Sequence, residues 1–557
     1  MANAEKKPNP TAYTVIHGVL LALFLLRFGW GLWGETLWFP HGEGALWCAS
    51  FGLALLRGPR RVNEYMAAGM LGLCALLLAL RLGERPPVTD SERVAFFVFS
   101  FKLLLLLGLT ALGEAALTAR RDVTRLYAPA ALLLGLFMLF AVTPLSAPDE
   151  QAHYECVFQL SQRLLGQREY NPAYFDFSGL SGHFNVSSGY LRLMDGLFSP
   201  LPEGKLLPWP ERGIAYFPEY LPQTVGLTLA RLLGGNFLTA LLLGRFTNLL
   251  FFIGCLALAI RTAPEEARHT LGLMGLLPIT LQQCASLSYD SFILGLSLLL
   301  LAQILCAARE RGPISLPRLG GIFLCAVLLA PTRAVYAVLS ALLWLIPAGR
   351  FGGKGRRGLT FVLLLFLCAG AAVLAQYNTM AAMGGGGASL NWEGGQNYTL
   401  PFILAHPGRT AGIFLRTLRE LLLPWLLEAH GGTLSGLSLR IHRWIPAGFA
   451  LLLLLSVSAR EEGERPDWRE RVLLLATAAA VVLGTMGAML LGWTSDTRDV
   501  IAGVQGRYFL PVLPLGYLAL GNGFLLSRRD KGRYLLWAGA FLSTEALFGV
   551  LNYTLFM

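Results

Sequence analysis

Asn236-Phe-Leu-Thr-Ala-Leu-Leu-Leu-Gly-Arg245-Phe-Thr-Asn248-Leu-Leu-Phe-Phe-Ile-Gly-Cys-Leu-Ala-Leu-Ala-Ile260 carries a single charged side chain, Arg245. At about 1.5 Å per residue, a helix of this length crosses the roughly 30 Å hydrocarbon core of a bilayer. Apolar runs long enough to span, or nearly so, recur at 13–33, 45–56, 65–80, 94–117 and 126–144 before it. They continue at 269–285, 289–308, 319–330, 334–347, 359–380, 445–458, 472–493, 508–526 and 534–556, about fifteen in all. Two or three are short enough to dip into the bilayer or pair as hairpins.

The composition agrees. Of 557 residues, 55% are hydrophobic and 14% charged, against roughly 25% charged in soluble domains. So few charges cannot cover a water-facing surface, which excludes a soluble multidomain enzyme, and the hydrophobicity excludes disorder. The expected fold class is an all-α polytopic integral membrane protein. The net charge of +11 would suggest nucleic acid in a soluble protein. Here loop arginines set membrane orientation, so the partner is a lipid bilayer and no nucleic acid is expected. Cys48, Cys74, Cys255, Cys306, Cys325 and Cys368 fall in apolar runs, where cysteine acts as a small hydrophobe. The polar residues 1–10 lack a cleavage signal, so run 13–33 reads as a retained span.

Basic residues thread the chain. Lys6/Lys7, Arg57/Arg60/Arg61, Arg120/Arg121/Arg125, Arg261/Arg268, Arg309/Arg311/Arg318, Arg350/Lys354/Arg356/Arg357, loop 460–471 and Arg528/Arg529/Lys531/Arg533 all fall in every second loop. With those loops cytoplasmic, the N-terminus is inside and two long polar regions, about 146–235 and 381–444, lie outside. The first reads as a structured loop with short interfacial helices. The second combines a glycine-rich loop around Gly384–Gly387 with an amphipathic helix over 409–428. Arg27 and Lys102 lie toward the ends of their spans and read as snorkelling.

Chemistry-bearing residues gather at the outer ends of spans. Ser146-Ala-Pro-Asp149-Glu150-Gln-Ala-His153-Tyr154 follows span 126–144. Pro148 suits a helix start, which puts both carboxylates in the first turn, with Asp149 and His153 on one face. Asp149 is a candidate general base that Glu150 or His153 would orient; a helix cap is the structural alternative. Two candidate ligands, Asp149 and His153, are compatible with a divalent metal (Mg or Mn) but do not require one. Arg245 within its span, Arg333 at a hairpin tip and Arg507 beside Tyr508 are candidate phosphate ligands, since guanidinium groups grip phosphate oxygens in pairs. Asp290, in Ser286-Leu-Ser-Tyr289-Asp290, caps the following span or pairs with one of these arginines. The tract Tyr216-Phe-Pro218-Glu-Tyr220-Leu-Pro222 suits a fixed turn at headgroup level.

Taken in order, Pro148-Asp149-Glu150-x-x-His153, Tyr216-x-Pro218-x-x-x-Pro222, Leu243-Gly-Arg245-x-x-Asn248, Leu277-Pro278 with Ser286-x-Ser288-Tyr289-Asp290, and Gly503-Val-Gln-Gly506-Arg507-Tyr508-x-x-Pro511 form a pattern. This pattern resembles the bacterial membrane-protein family known as domain of unknown function 2142, which groups with the GT-C glycosyltransferases. The resemblance covers 126–557. It implies a GT-C-like bundle of about 11 spans, preceded by a four-span module over 1–125; the region 428–443 departs from it. It further implies a bacterial plasma (inner) membrane enzyme with an extracytoplasmic site. Such an enzyme moves a sugar from a polyprenyl-phosphate-linked donor to an envelope glycan or lipid acceptor. Asp149 stands where such enzymes carry their acidic catalytic residue, with Arg245, Arg333, Arg507, Tyr508, Asp290 and Tyr289 as substrate-binding candidates. The alternatives are a lipid-linked-sugar transporter or flippase, and an O-antigen ligase or polymerase with a pyrophosphate donor. No internal repeat is visible, which disfavours the transporter.

Overall fold

The computed structural model describes residues 72, 89–118, 122–182, 184–209, 217–382, 395–457, 466–521 and 532–555. The runs 13–33 and 45–56, run 65–80 apart from Gly72, the Gly384–Gly387 loop, Arg27 and residues 460–465 of loop 460–471 lie outside the described residues.

Among the described residues, six helical segments are long and apolar enough to cross a membrane: Val123–Ala141, Phe237–Thr262, Asp290–Arg309, Lys354–Ala375, Trp468–Trp493 and Gly532–Thr554. Leu316–Leu329, Ala334–Leu345 and Trp444–Ser456 are shorter apolar helices. The protein is thus a mostly helical, multi-pass membrane protein. Burial sorts the helices. About 78% of the apolar window of Asp290–Arg309 is buried, against 17% of Lys354–Ala375. On the latter Leu359, Val362, Phe366, Val373 and Leu374 stay exposed, the pattern of a lipid-facing perimeter.

The elements used below are α1 (Asp90–Thr118), α2 (Tyr127–Ala141), α3 (Glu150–Leu164), α4 (Leu221–Leu232), α5 (Phe237–Thr262), α6 (Glu265–Leu276), α7 (Pro278–Cys284), α8 (Asp290–Arg309), α9 (Leu316–Leu329), α10 (Pro407–Ala429) and α11 (Gly532–Leu555). Helix α5 is the hub, packed on α2, α4, α6 and α8. Its seam with α4 depends on Gly226, where a Cβ would come within 2.1 Å of the Leu243 carbonyl oxygen. No other residue lets the two backbones approach this closely.

Four expectations change. Run 269–285 is two helices, α6 and α7, because Pro278 cannot continue the helical ladder of α6. Run 334–347 winds as a 3-10 helix, Ala334–Leu345. Run 508–526 contributes a 3-10 turn, Gly506–Phe509, and a short helix, Leu513–Ala519, before the described residues stop. Lys102 does not snorkel: it is buried and donates to Asn552 Oδ1 at 2.7 Å on α11, the helix against which α1 packs. A lysine inside a span is tolerated where a polar partner from a neighbouring helix meets it.

Two polar regions close over one end of the bundle. In the first, α3 is followed by a short antiparallel pair, Glu169–Tyr170 with Leu207–Pro208, cemented by Phe158, Tyr170, Phe175 and Trp209. In the second, α10 shows an apolar face (Ile413, Thr417 and Trp425 buried) and an exposed basic one, on which Arg416 meets Asp499 at 2.9 Å. The hairpin Thr433–Leu434/Leu439–Arg440 then turns inward, and Ser435 Oγ donates to the Ser146 carbonyl at 3.0 Å.

Candidate functional site

The motifs that are scattered in sequence meet beneath these loops, and a buried ion pair is their floor. Glu150, the first residue of α3, takes Arg245 Nε at 2.7 Å on one carboxylate oxygen and Nη2 at 2.5 Å on the other. Both side chains are fully buried. The remaining guanidinium hydrogens go to the carbonyls of Leu139, Val142 and Thr143, at 2.8, 2.7 and 3.1 Å, at the C-terminal end of α2. All five donors of Arg245 are therefore engaged within the protein, so it is not offered to a ligand. Its place within an apolar span is explained instead by a pair that locks α2, α3 and α5 together.

The same carboxylate positions the next layer. Glu150 Oε1 accepts the Leu287 amide at 3.1 Å, and Asn248 donates to the Ser286 and Ser288 carbonyls at 2.7 and 3.0 Å. Gln223 donates to Ser288 O at 3.1 Å, and Ser291 Oγ donates to Asn248. The Ser286–Ser288 turn is thus fixed from three elements, and it aims Tyr289 and Asp290. Asp290 does not cap α8: it is the first helical residue, its own amide donating to Ser288 Oγ at 3.1 Å. Its carboxylate lies between two arginines, 3.5 Å from Arg507 Nη1 and 3.8 Å from Arg333 Nη2.

Arg507 bridges the buried layer and the surface. It is held by Gly506, which is pressed so tightly on α10 that a Cβ would come within 2.3 Å of the Trp425 carbonyl oxygen. The Gly506 amide donates to Glu428 Oε2 at 2.7 Å. Arg507 Nη2 donates to Asp149 Oδ2 at 2.8 Å, and Nη1 reaches Gln283 Oε1 at 3.5 Å. Its Nε and Gln283 Nε2 are buried without a hydrogen-bond partner. Such atoms in a native fold call for an explanation, and both are donors. Asp149 sits in the left-handed region, φ 59°, with no side-chain cap. That turn separates the two neighbouring carboxylates, so that Glu150 is buried while the Asp149 side chain is 63% exposed. Neither Glu150 nor His153 orients Asp149; Arg507 does.

Arg333 completes the outer rim. Its guanidinium carbon lies 3.9 Å from the Tyr508 ring centroid, and Nη2 donates to Tyr289 OH at 3.2 Å. His153 is one step deeper, Nδ1 3.0 Å from Tyr220 OH and its ring 4.9 Å from that of Tyr289. Asp149 and His153 do not converge as metal ligands, and the cation between Asp149 and Asp290 is the Arg507 guanidinium. Among the described residues no group of three or more His, Cys, Asp or Glu side chains gathers around a common point.

Glu219 joins this cluster unannounced by the sequence reading. It lies in the 3-10 turn Phe217–Tyr220, buried, with Oε2 lacking a hydrogen-bond partner. Burial pushes its carboxyl up to about 8, opposed by Arg333 and reinforced by Asp290. The signal available was an acidic residue trapped between Pro218 and Pro222 in an aromatic tract. His153 moves the other way: burial takes its imidazole down to about 4, opposed by Asp290 and reinforced by Arg507. Both groups are therefore uncharged at neutral pH.

These shifts have opposite consequences for stability. Glu219 holds its proton in the fold up to about 8, whereas an unfolded carboxyl releases it near 4.5. Its contribution is full below that lower value and is lost as pH rises through about 8. The His153 contribution is full above 6.5 and is lost as pH falls through about 4. We expect Glu219→Gln to flatten the decline of the melting temperature between about pH 4.5 and pH 8 and to leave the slope outside that window unchanged; an unaltered slope within the window would contradict the assignment.

An apolar groove of about 440 Å³ runs beside the cluster, lined by Pro218, Leu221 and Val225 near one wall, Thr247, Leu250 and Phe251 of α5, Phe292 of α8 and Leu328 of α9. Pro218 lines the groove while its neighbours Glu219 and Tyr220 belong to the polar cluster.

Fold and site define an all-α integral membrane protein with a buried polar network at one end of its bundle. The family described as "Predicted membrane protein (DUF2142)" matches residues 213–516. That is more than half of the chain, and the protein belongs to this family. The matched stretch contains Glu219, Arg245, Asp290, Arg333 and Arg507; it starts after Pro148–His153, later than the extent read from the motifs. No curated protein and no solved structure matches the chain.

Proposed function

We propose that the chain is a membrane glycosyltransferase of GT-C type that transfers a sugar from a polyprenyl-phosphate-linked donor to a glycan or lipid acceptor on the extracytoplasmic face. The observation that carries this reading is an exposed carboxylate, Asp149, held by a nearly buried arginine, Arg507, with a second arginine, Arg333, stacked on Tyr508 and an apolar groove that shares the Pro218–Tyr220 turn with the cluster. An isoprenoid tail suits the groove, and its phosphate suits the two arginines, of which Arg333 is part-exposed.

The donor phosphate competes with Asp149 for Arg507. On binding it takes over the guanidinium, which also gives Arg507 Nε or Gln283 Nε2 an acceptor. Asp149, released, becomes free to take the proton of an acceptor hydroxyl as that oxygen attacks the anomeric carbon with inversion. The bond to the lipid phosphate breaks, and the charge gathering on that phosphate is stabilised by Arg507 and Arg333. Arg245 is left out of the ligand set, and Glu150 and His153 hold the scaffold in place of a proton. Tyr289 and Tyr508 keep Arg333 in position.

The test is product release. Proteoliposomes carrying the protein are incubated with a panel of polyprenyl-phosphate sugars and an envelope-glycan acceptor fraction. The reading predicts free polyprenyl monophosphate and sugar joined to the acceptor. Intact lipid-linked sugar that appears on the opposite leaflet, with no release of lipid phosphate, would identify a transporter instead.

A further inference from the structure

A second cavity, of about 690 Å³, lies at the opposite end of the bundle, where α2 begins and α5 finishes. Its walls are apolar: Ala128, Pro129 and Leu132 from α2, and Ile253, Ala257 and Ile260 from α5. The α5 residues follow one another at helical spacing on a single face, so the groove runs along the helix axis for about two turns, roughly 10 Å. Its mouth is charged, with Arg125, Arg261 and Arg268 around Asp122.

The charges at this mouth are unbalanced. Asp122 Oδ1 accepts the Thr124 amide at 3.0 Å and also the Thr124 hydroxyl, while Oδ2 lies 3.7 Å from Arg268 Nη1. Arg268 is further tied to the Ala263 carbonyl through Nε at 2.9 Å. Asp122 and Arg268 thus offset one another. Arg125 and Arg261 are exposed and make no ion pair within 4.0 Å among the described residues; Asp122 also attracts Arg125 at longer range, which leaves one carboxylate against three arginines. A slot with apolar walls parallel to the helices and two exposed guanidinium groups at its mouth, in a net excess of positive charge, is complementary to a molecule with an anionic head and a hydrocarbon tail. A soluble anion would use the mouth and leave the walls wet. A nucleic acid or acidic protein could not enter the slot between α2 and α5.

We infer that this cavity binds one anionic phospholipid, its phosphate between Arg125 and Arg261 and an acyl chain along Ala257 and Leu132. Basic pockets between spans are a recurrent means of holding anionic headgroups. The site is independent of the polar cluster at the other end.

The test uses the full-length protein in nanodiscs of phosphatidylcholine alone, or of phosphatidylcholine with phosphatidylglycerol, with the melting temperature and native mass spectrometry as readouts. Phosphatidylglycerol should raise the melting temperature and survive as a one-lipid adduct. The Arg125→Gln/Arg261→Gln variant should lose both and bind the lipid roughly thirtyfold more weakly. Its melting temperature in phosphatidylcholine alone should match that of the unaltered protein, which separates loss of lipid from loss of fold; Arg261→Gln alone serves if the double variant does not meet that condition. Equal stabilisation by inorganic phosphate would assign the mouth to a free anion and overturn the lipid. An undiminished phosphatidylglycerol effect in both variants would overturn the site.

Discussion

Replacing Asp149 by Asn is expected to lower sugar transfer by about a hundredfold to ten-thousandfold, the range that a positioned general base supplies, while donor lipid binds more tightly. The two effects have one cause. In the resting structure the Asp149 carboxylate occupies Arg507 Nη2 at 2.8 Å, so the donor phosphate must displace a charged competitor. An amide at this position keeps the shape and weakens the competition, but it cannot take a proton. Asp149 is largely exposed and in no cap bond, so the fold should be unaffected. A variant that loses turnover and also loses donor affinity would show that Asp149 binds the donor and does not compete with it. Full turnover would remove it from the chemistry.

The second large effect falls on stability. Glu150→Ala or Arg245→Ala leaves a charge buried without its partner, a change that costs about 3–5 kcal/mol. The neighbouring groups raise the stakes, because Arg245 also gathers three carbonyls of the α2 terminus and Glu150 also takes the Leu287 amide. Each single variant should melt far below the unaltered protein or fail to accumulate. Replacing both by apolar residues of similar volume should cost less than the two single changes together, since no charge is then stranded. Strict additivity in melting experiments would mean that the pair does not act as a unit. The contrast with Asp149, one residue earlier, is wide: neighbours in sequence, one is expected to govern turnover and the other the fold.

The membrane class was legible from runs such as 236–260, because a bilayer demands long apolar helices and little else explains them. The convergence of Pro148–His153, Arg245/Asn248, Ser286–Asp290 and Gly503–Arg507 was legible as an ordered pattern, although no spacing rule says that Glu150 meets Arg245. Roles within the pattern were not legible. The left-handed backbone at Asp149 decides which of two adjacent carboxylates is buried, and that conformation belongs to the tertiary packing, not to the residue type. An arginine in a span reads alike whether it serves a ligand or the protein; only the count of its acceptors separates Arg245 from Arg507. Glu219 escaped because a single acid in an aromatic turn looks like a solvated loop residue until burial is known. Lys102 was misjudged for the converse reason, since its partner Asn552 lies on a distant helix.

The central claim is that Arg507 and Arg333 form a phosphate site beside an apolar groove. Its most direct test is the melting temperature of the purified protein with polyprenyl monophosphate, the product common to all donors of this class, against the uncharged polyprenol. A ligand that binds only the folded state raises the midpoint with concentration. Polyprenyl monophosphate should therefore stabilise the protein more than polyprenol. That phosphate-dependent difference should vanish in Arg507→Ala and Arg333→Ala and increase in Asp149→Asn. Equal stabilisation by the two lipids, or a phosphate effect indifferent to both arginines, would contradict the site.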